Sequence, residues 1–179
     1  MAATPTVLTH GTGAVSSGTV STASVTPVAN RVVYLCVAMR FASPVGSETV
    51  LSVAGNGLTW VRVVESCFNN DNRSMAVFRA QGASPSSGAI TITESEGDAT
   101  EAAWQVIQFA GADTSGTNGS GATGTPAASE TNKTYTATSL GLTITGTPAT
   151  GDATFATFAI EDGSTGIASD ALWVNLATD

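Results

Sequence analysis

The feature that most narrows what this chain can fold into is the lack of any sustained helical period. Its apolar positions alternate or form short runs rich in Val, Ile, Thr and aromatics, and Gly, Pro, Asn, Ser or Asp interrupts them about every eight to fifteen residues. Period-two patterning with this punctuation is the signature of an all-β chain. The candidate strands are 14–26, 31–41, 58–67, 73–81, 89–95, 101–111, 133–145, 152–162 and 171–178. No crossover helices exist to carry parallel connections, so two packed antiparallel sheets are expected. The fold class read from sequence is an all-β, two-sheet antiparallel β-sandwich, jelly-roll-like, with an internal half-repeat.

Between the strands, GNG (55–57) supplies residues that tolerate positive φ, and NNDN (69–72) reads as a polar hairpin tip. Pro27, Pro44, Pro85 and Pro148 interrupt ladder pairing. Strand 101–111 carries Trp104 and Val106 on one face and Ile107 and Phe109 on the other, so both of its faces are expected to be covered. The Gly/Ser/Thr stretch 112–132 reads as a long crossover loop of linker-like composition.

The chain has 179 residues, enough for one domain with a proper core. It is expected to form an N-terminal arm, 1–18, with no evident core face, followed by a single sandwich domain, 19–179. Laying PVANRVVYLCVAMRF (27–41) over PATGDATFATFAIED (148–162), and LTWVRVVES (58–66) over DALWVNLATD (170–179), gives half-repeats of about 19–111 and 133–179. The second round stops after the equivalent of 58–66, and strand addition by another chain is one way to complete it.

Charged residues make up 11% of the chain, less than half of the roughly 25% usual in globular proteins. With one lysine, Lys133, five arginines and a net charge of −8, no sequence-independent grip on phosphates is expected, and nucleic acid is not expected as a partner. No apolar run reaches the roughly 20 residues of a membrane-spanning helix, so no membrane partner is expected either. The first residues lack the basic start and apolar core of a signal peptide.

Candidate chemistry is sparse, and no catalytic, cofactor-binding or metal-ligating residue is assigned. The one histidine, His10, lies far in sequence from any partner for acid–base work and reads as a surface or interface side chain. The acidic stretch ESEGDATE holds Glu94, Glu96, Asp98 and Glu101; it and EDG (161–163) lack the spacing of a calcium loop, and a solvated rim is the reading taken. Asp113 sits where an Asp side chain caps a turn. Trp60, Trp104 and Trp173 lie inside apolar strands and are expected in the core. Asn72, Asn118 and Asn132 head N-x-[ST] triplets of the kind a Ser/Thr-rich chain contains by chance. Cys36 and Cys67 show neither a framework nor metal spacing, and a bridge would need their Cα atoms within about 7 Å.

Four features in order carry a resemblance. These are GLTWVRVVES (57–66), the hairpin MAVFRAQGASPSSGAITIT (75–93), the strand end FAGADTS (109–115), and the Gly/Thr-rich passage into a second round. Together, over about residues 20–178, they resemble a group of Gly/Thr/Ala-rich β-sandwich proteins found among phage virion structural proteins and secreted bacterial proteins. That resemblance implies a non-enzymatic virion component, a bacteriophage capsid decoration (cement) protein or a head or tail surface protein. Its expected partners are capsid or other virion proteins and further copies of itself, a trimer among the options, with the particle as its location. The alternative is a carbohydrate- or surface-binding accessory module of a secreted bacterial protein or a phage tail fibre.

Overall fold

The computed structural model describes residues 3–43, 51–68, 72–95, 98–124, 153–158 and 173–178. Its strands are β1 (Thr4–Ala14), β2 (Thr19–Ser21), β3 (Val32–Phe41), β4 (Leu51–Gly55), β5 (Val61–Phe68), β6 (Arg73–Ala80), β7 (Ile90–Glu94), β8 (Ala99–Ala110), β9 (Ala153–Phe158) and β10 (Trp173–Thr178). A five-stranded sheet runs in the order β1-β8-β3-β6-β5 and a three-stranded sheet in the order β2-β7-β4. Every ladder is antiparallel. The protein is an all-β, two-sheet sandwich.

The main core lies between the sheets. Val33, Leu35, Val37, Met39 and Phe41 of β3, with Trp104 and Val106 of β8, meet Ile90 and Ile92 of β7, Val20 of β2 and Leu51 of β4. Fully burying a side chain of this size contributes about 1.5–3 kcal/mol. A second apolar cluster occupies the other face of the larger sheet: Tyr34, Cys36, Ala38, Val77, Ala103, Ile107 and Phe109. Tyr34 and Phe109 meet edge to face, with centroids 5.7 Å apart. The run VVYLCVAM is apolar at every position because β3 is the middle strand of five and both of its faces are buried. Strand β8 is likewise covered on both sides, but it lies second from the edge.

The segment 1–18 does not behave as the arm expected from sequence. Residues Thr4–Ala14 form β1 and pair with β8 from Thr4↔Ala110 to Ala14↔Glu101, with an irregularity at Val7/Thr9. The core face of β1 is hidden from a sequence reading because glycine holds part of it: Gly11 and Gly13 lie against the Trp104 indole, which fills the space their side chains would take. A two-residue turn then carries the chain to the other sheet. Ser16 and Thr19 exchange backbone hydrogen bonds, both 3.0 Å, and Ser17 and Gly18 both have positive φ, 51° and 72°. That is the primed geometry matched to strand twist.

The linker-like stretch is folded at its start. Thr117–Ala122 forms 3-10 turns broken by a kink at Asn118 and Gly119, both with positive φ. Arg79 Nε donates to the Asn118 carbonyl at 3.0 Å, the Tyr34 hydroxyl lies 2.6 Å from Thr123 Oγ1, and Gly119 packs on Val32. Three side-chain anchorages thus hold an otherwise featureless sequence to the sheet. Residues 125–132, the candidate strand 133–145 and most of the second half-repeat fall outside the described residues. Within that half, β9 pairs directly with β10, whereas their suggested counterparts β3 and β5 are separated by β6. The pairing described in that half thus differs from that of β3 and β5.

Candidate functional site

Among the described residues, those singled out from sequence do not converge. His10 is exposed on β1 opposite Gln105. Four positions further on, Ala14 stands opposite Glu101, roughly 13 Å along the strand. Glu101 itself pairs with Arg40 across the β3–β8 ladder at 3.8 Å. Among the described residues no group of three His, Cys, Asp or Glu side chains is placed to hold a metal ion, and no helix is long and apolar enough to cross a membrane.

Asp113 is turn chemistry. Its Oδ1 accepts the Ser115 backbone N–H at 2.8 Å, and that bond holds the carboxyl below the ordinary aspartate range. Gly121 N–H in turn donates to the Ser115 carbonyl, which closes the loop on itself.

The acidic stretch departs from the solvated rim expected of it. Glu94 is 3% exposed. Its backbone N–H donates to the Gly18 carbonyl at 2.8 Å, and its Oε1 lies 3.4 Å from the Ala99 N–H that it accepts. Asp98 Oδ2 accepts the Ser43 N–H at 3.2 Å, while the Asp98 carbonyl accepts from Ala42. A carboxylate costs free energy to bury unless donors surround it. The Glu94 carboxylate braces the β7–β8 connection at Ala99, the Glu94 backbone N–H joins it to the Ser17-Gly18 turn, and the Asp98 carboxylate joins it to the end of β3. Glu96 and 161–163 lie outside the described residues.

Trp104 is 6% exposed and belongs to the core. Trp60 is only half-buried against that core, and its indole N–H donates to the Gly55 carbonyl at 3.3 Å. The side chain of Trp173 lies outside the described residues. Cys36 and Cys67 are buried and not bridged to each other. Their strands are not neighbours: β6 stands between them, where Cys36 is paired with Val77 and Cys67 with Ser74. Two strand spacings of about 4.8 Å and roughly 10 Å along the strands separate them, beyond disulfide reach. Burial pushes the Cys36 thiol up to about 12.

The GNG tripeptide has the positive φ angles expected of it but is no open hairpin tip. Asn56 is buried, and its amide donates to the carbonyls of Ser86 and Gly88, each at 3.0 Å, and of Val25 at 3.4 Å. One side chain thus ties three loop carbonyls, a role that a turn motif alone does not signal.

Among its paired residues, the outer face of the smaller sheet carries no charge. On the outer face of the smaller sheet, Thr93 of β7 stands between Thr19 and Ser52, and Thr91 between Ser21 and Ala54. Ser21 and Thr91 hydroxyls lie 3.4 Å apart. Such a surface can press on a neighbour through hydrogen bonds and methyl contacts, without desolvating charge. No family model matches the chain, and neither a curated protein nor a solved structure matches it.

Proposed function

We propose that this chain is a structural virion protein, a bacteriophage capsid decoration or a head or tail surface protein that stabilises the particle through subunit contacts. The observation that carries this reading is the contrast between interior and surface. Trp104 and the large aliphatic residues of β3, β7 and β8 are consumed by the core, while the smaller sheet turns Thr19, Ser21, Ser52, Thr91 and Thr93 outward. A surface of that kind gains little from one contact and much from many, which is how copies arrayed on a symmetric shell act. The sequence resemblance to Gly/Thr/Ala-rich sandwiches of phage particles supports the same reading. The test is to purify particles with and without this chain and heat them. Particles carrying it should release their genome at a higher temperature; equal release temperatures, or failure of the chain to bind, would overturn the proposal.

A second reading, a carbohydrate- or surface-binding module, is favoured by one feature, the half-buried Trp60 between β4 and β5. A Trp60→Ala change that abolishes binding to a glycan array while leaving particle binding intact would move the assignment there.

A further inference from the structure

We infer that the β1 edge is a self-association site, at which a second copy of this chain adds its own β1 antiparallel across a two-fold axis. Three observations lead there. First, β1 is the outermost strand of the larger sheet, and among the described residues it is laddered on one side only, to β8. Unpaired by any described residue, its other side offers a row of backbone donors and acceptors, which is a template for another strand. Natural edges are blunted by charge, proline or bulges. Here Pro5 and the irregularity at Val7/Thr9 blunt the first half alone, so Thr9–Ala14 stays regular.

Second, the edge is free of charge in a chain that carries plenty of one sign. Residues 1–30 contain no Asp, Glu, Lys or Arg, while all fourteen acids of this −8 chain come later. The opposite edge of the same sheet, β5, bears the Arg62–Glu65 ion pair. Two copies approaching through β1 therefore meet without juxtaposing carboxylates from this segment. Third, the neighbouring edge is of the same kind. β2 is the outer strand of the smaller sheet, it touches β1, and its residues Thr19–Ser21 are uncharged. Both of these edge strands are thus free of charged side chains.

A two-fold axis normal to the sheet pairs residues of like parity, so His10 and Thr12, which point to the same face, come beside the same residues of the other copy. Like charges placed directly opposite each other across a ladder repel. This gives the experiment. Light scattering on the eluting full-length chain should report twice the mass of one copy. Thr12→Lys should halve it with the circular dichroism spectrum unchanged, and Thr12→Val should leave it doubled. If Thr12→Lys fails to fold, hydrogen exchange of the wild type decides instead, with Thr9–Ala14 amides more protected at high protein concentration than at low.

A single-copy mass at every concentration, a doubled mass that Thr12→Lys does not change, an assembly of three or more copies, or concentration-independent exchange would each overturn the pairing. The inference stands apart from the particle reading. A β1-paired dimer that binds no particle would leave it intact, and a particle-bound monomer would remove it.

Discussion

Gly11 of β1 stands directly opposite Trp104 of β8, and a methyl group added at Gly11 would lie 3.3 Å from Cζ2 of the indole. Two places along, a methyl at Gly13 would lie 3.2 Å from both Trp104 Cη2 and Val20 Cγ2. The indole is the large half of a packing pair whose small half is glycine. Overfilling such a site costs about 1–3 kcal/mol. Gly13→Val should therefore lower the unfolding free energy by about that amount in a denaturant titration, more than Thr12→Val on the exposed face. Equal effects would mean that β1 does not pack on Trp104.

Leu35 is fully buried between the sheets. Leu35→Ala should cost about 2–5 kcal/mol, as expected for a leucine removed from a packed core. A loss well under 1 kcal/mol by the same titration would place Leu35 at a surface.

Tyr34→Phe removes the hydroxyl that reaches Thr123 Oγ1 and the Ala122 carbonyl. The loss of such a bond costs about 0.5–1.5 kcal/mol. The local consequence should be faster protease cutting within 113–124, with β3 and β8 unaffected. Unchanged cutting would show that the hydroxyl does not hold the segment.

The Cys36 thiol carries a pH dependence of definite sign. Its folded value, pushed up by burial to about 12, exceeds its ordinary value of 9.0. The unfolded chain therefore releases this proton first as pH rises. Stability from Cys36 is complete below about pH 9 and is lost progressively toward pH 12. Tyr34, also raised by burial, acts in the same direction above its ordinary 10.0. Stability measured across this range should fall, and Cys36→Ala should make the fall shallower. In the native state the thiol should also resist alkylation at pH 8 until the chain unfolds. Rapid native labelling at Cys36 would contradict its burial.

Asp113 acts at the other end of the pH scale. Its carboxyl is held low chiefly by the Ser115 backbone N–H, so that contribution is present above the ordinary aspartate value and disappears as pH falls through the lowered one. The Ser115 amide should exchange faster in Asp113→Ala and stay protected in Asp113→Asn, which keeps an acceptor oxygen. Equal exchange in all three proteins would dissolve the turn assignment.

The sequence made β3, β6, β7 and β8 legible because each couples apolar alternation or a continuous buried run to clear turn residues. It hid β1 and β4 for different reasons. In β1 the inward positions include Gly11 and Gly13, so the pattern that marks a strand is supplied by Trp104 from the neighbouring one. In β4 only Leu51 and Val53 alternate, over five residues. The predicted strand 14–26 shrank to Thr19–Ser21 because the Ser17-Gly18 turn interrupts it. At the level of single residues, Asp113 read correctly as a turn cap, since an Asx turn is local. Glu94 did not read as buried, because its donor at Ala99 and its neighbour at Gly18 come from separate turns that only the fold brings together.

On the proposed reading, this sandwich works by lying against the other proteins of a virus particle. The most direct measurement is quantitative mass spectrometry of particles purified from the source of the gene. This chain is expected in a fixed, many-copy ratio to the major capsid or tail subunit, retained through washing at high salt because the outward Ser/Thr rows of the smaller sheet carry no charge to screen. Its absence from the particles, or its removal by salt, would contradict the account.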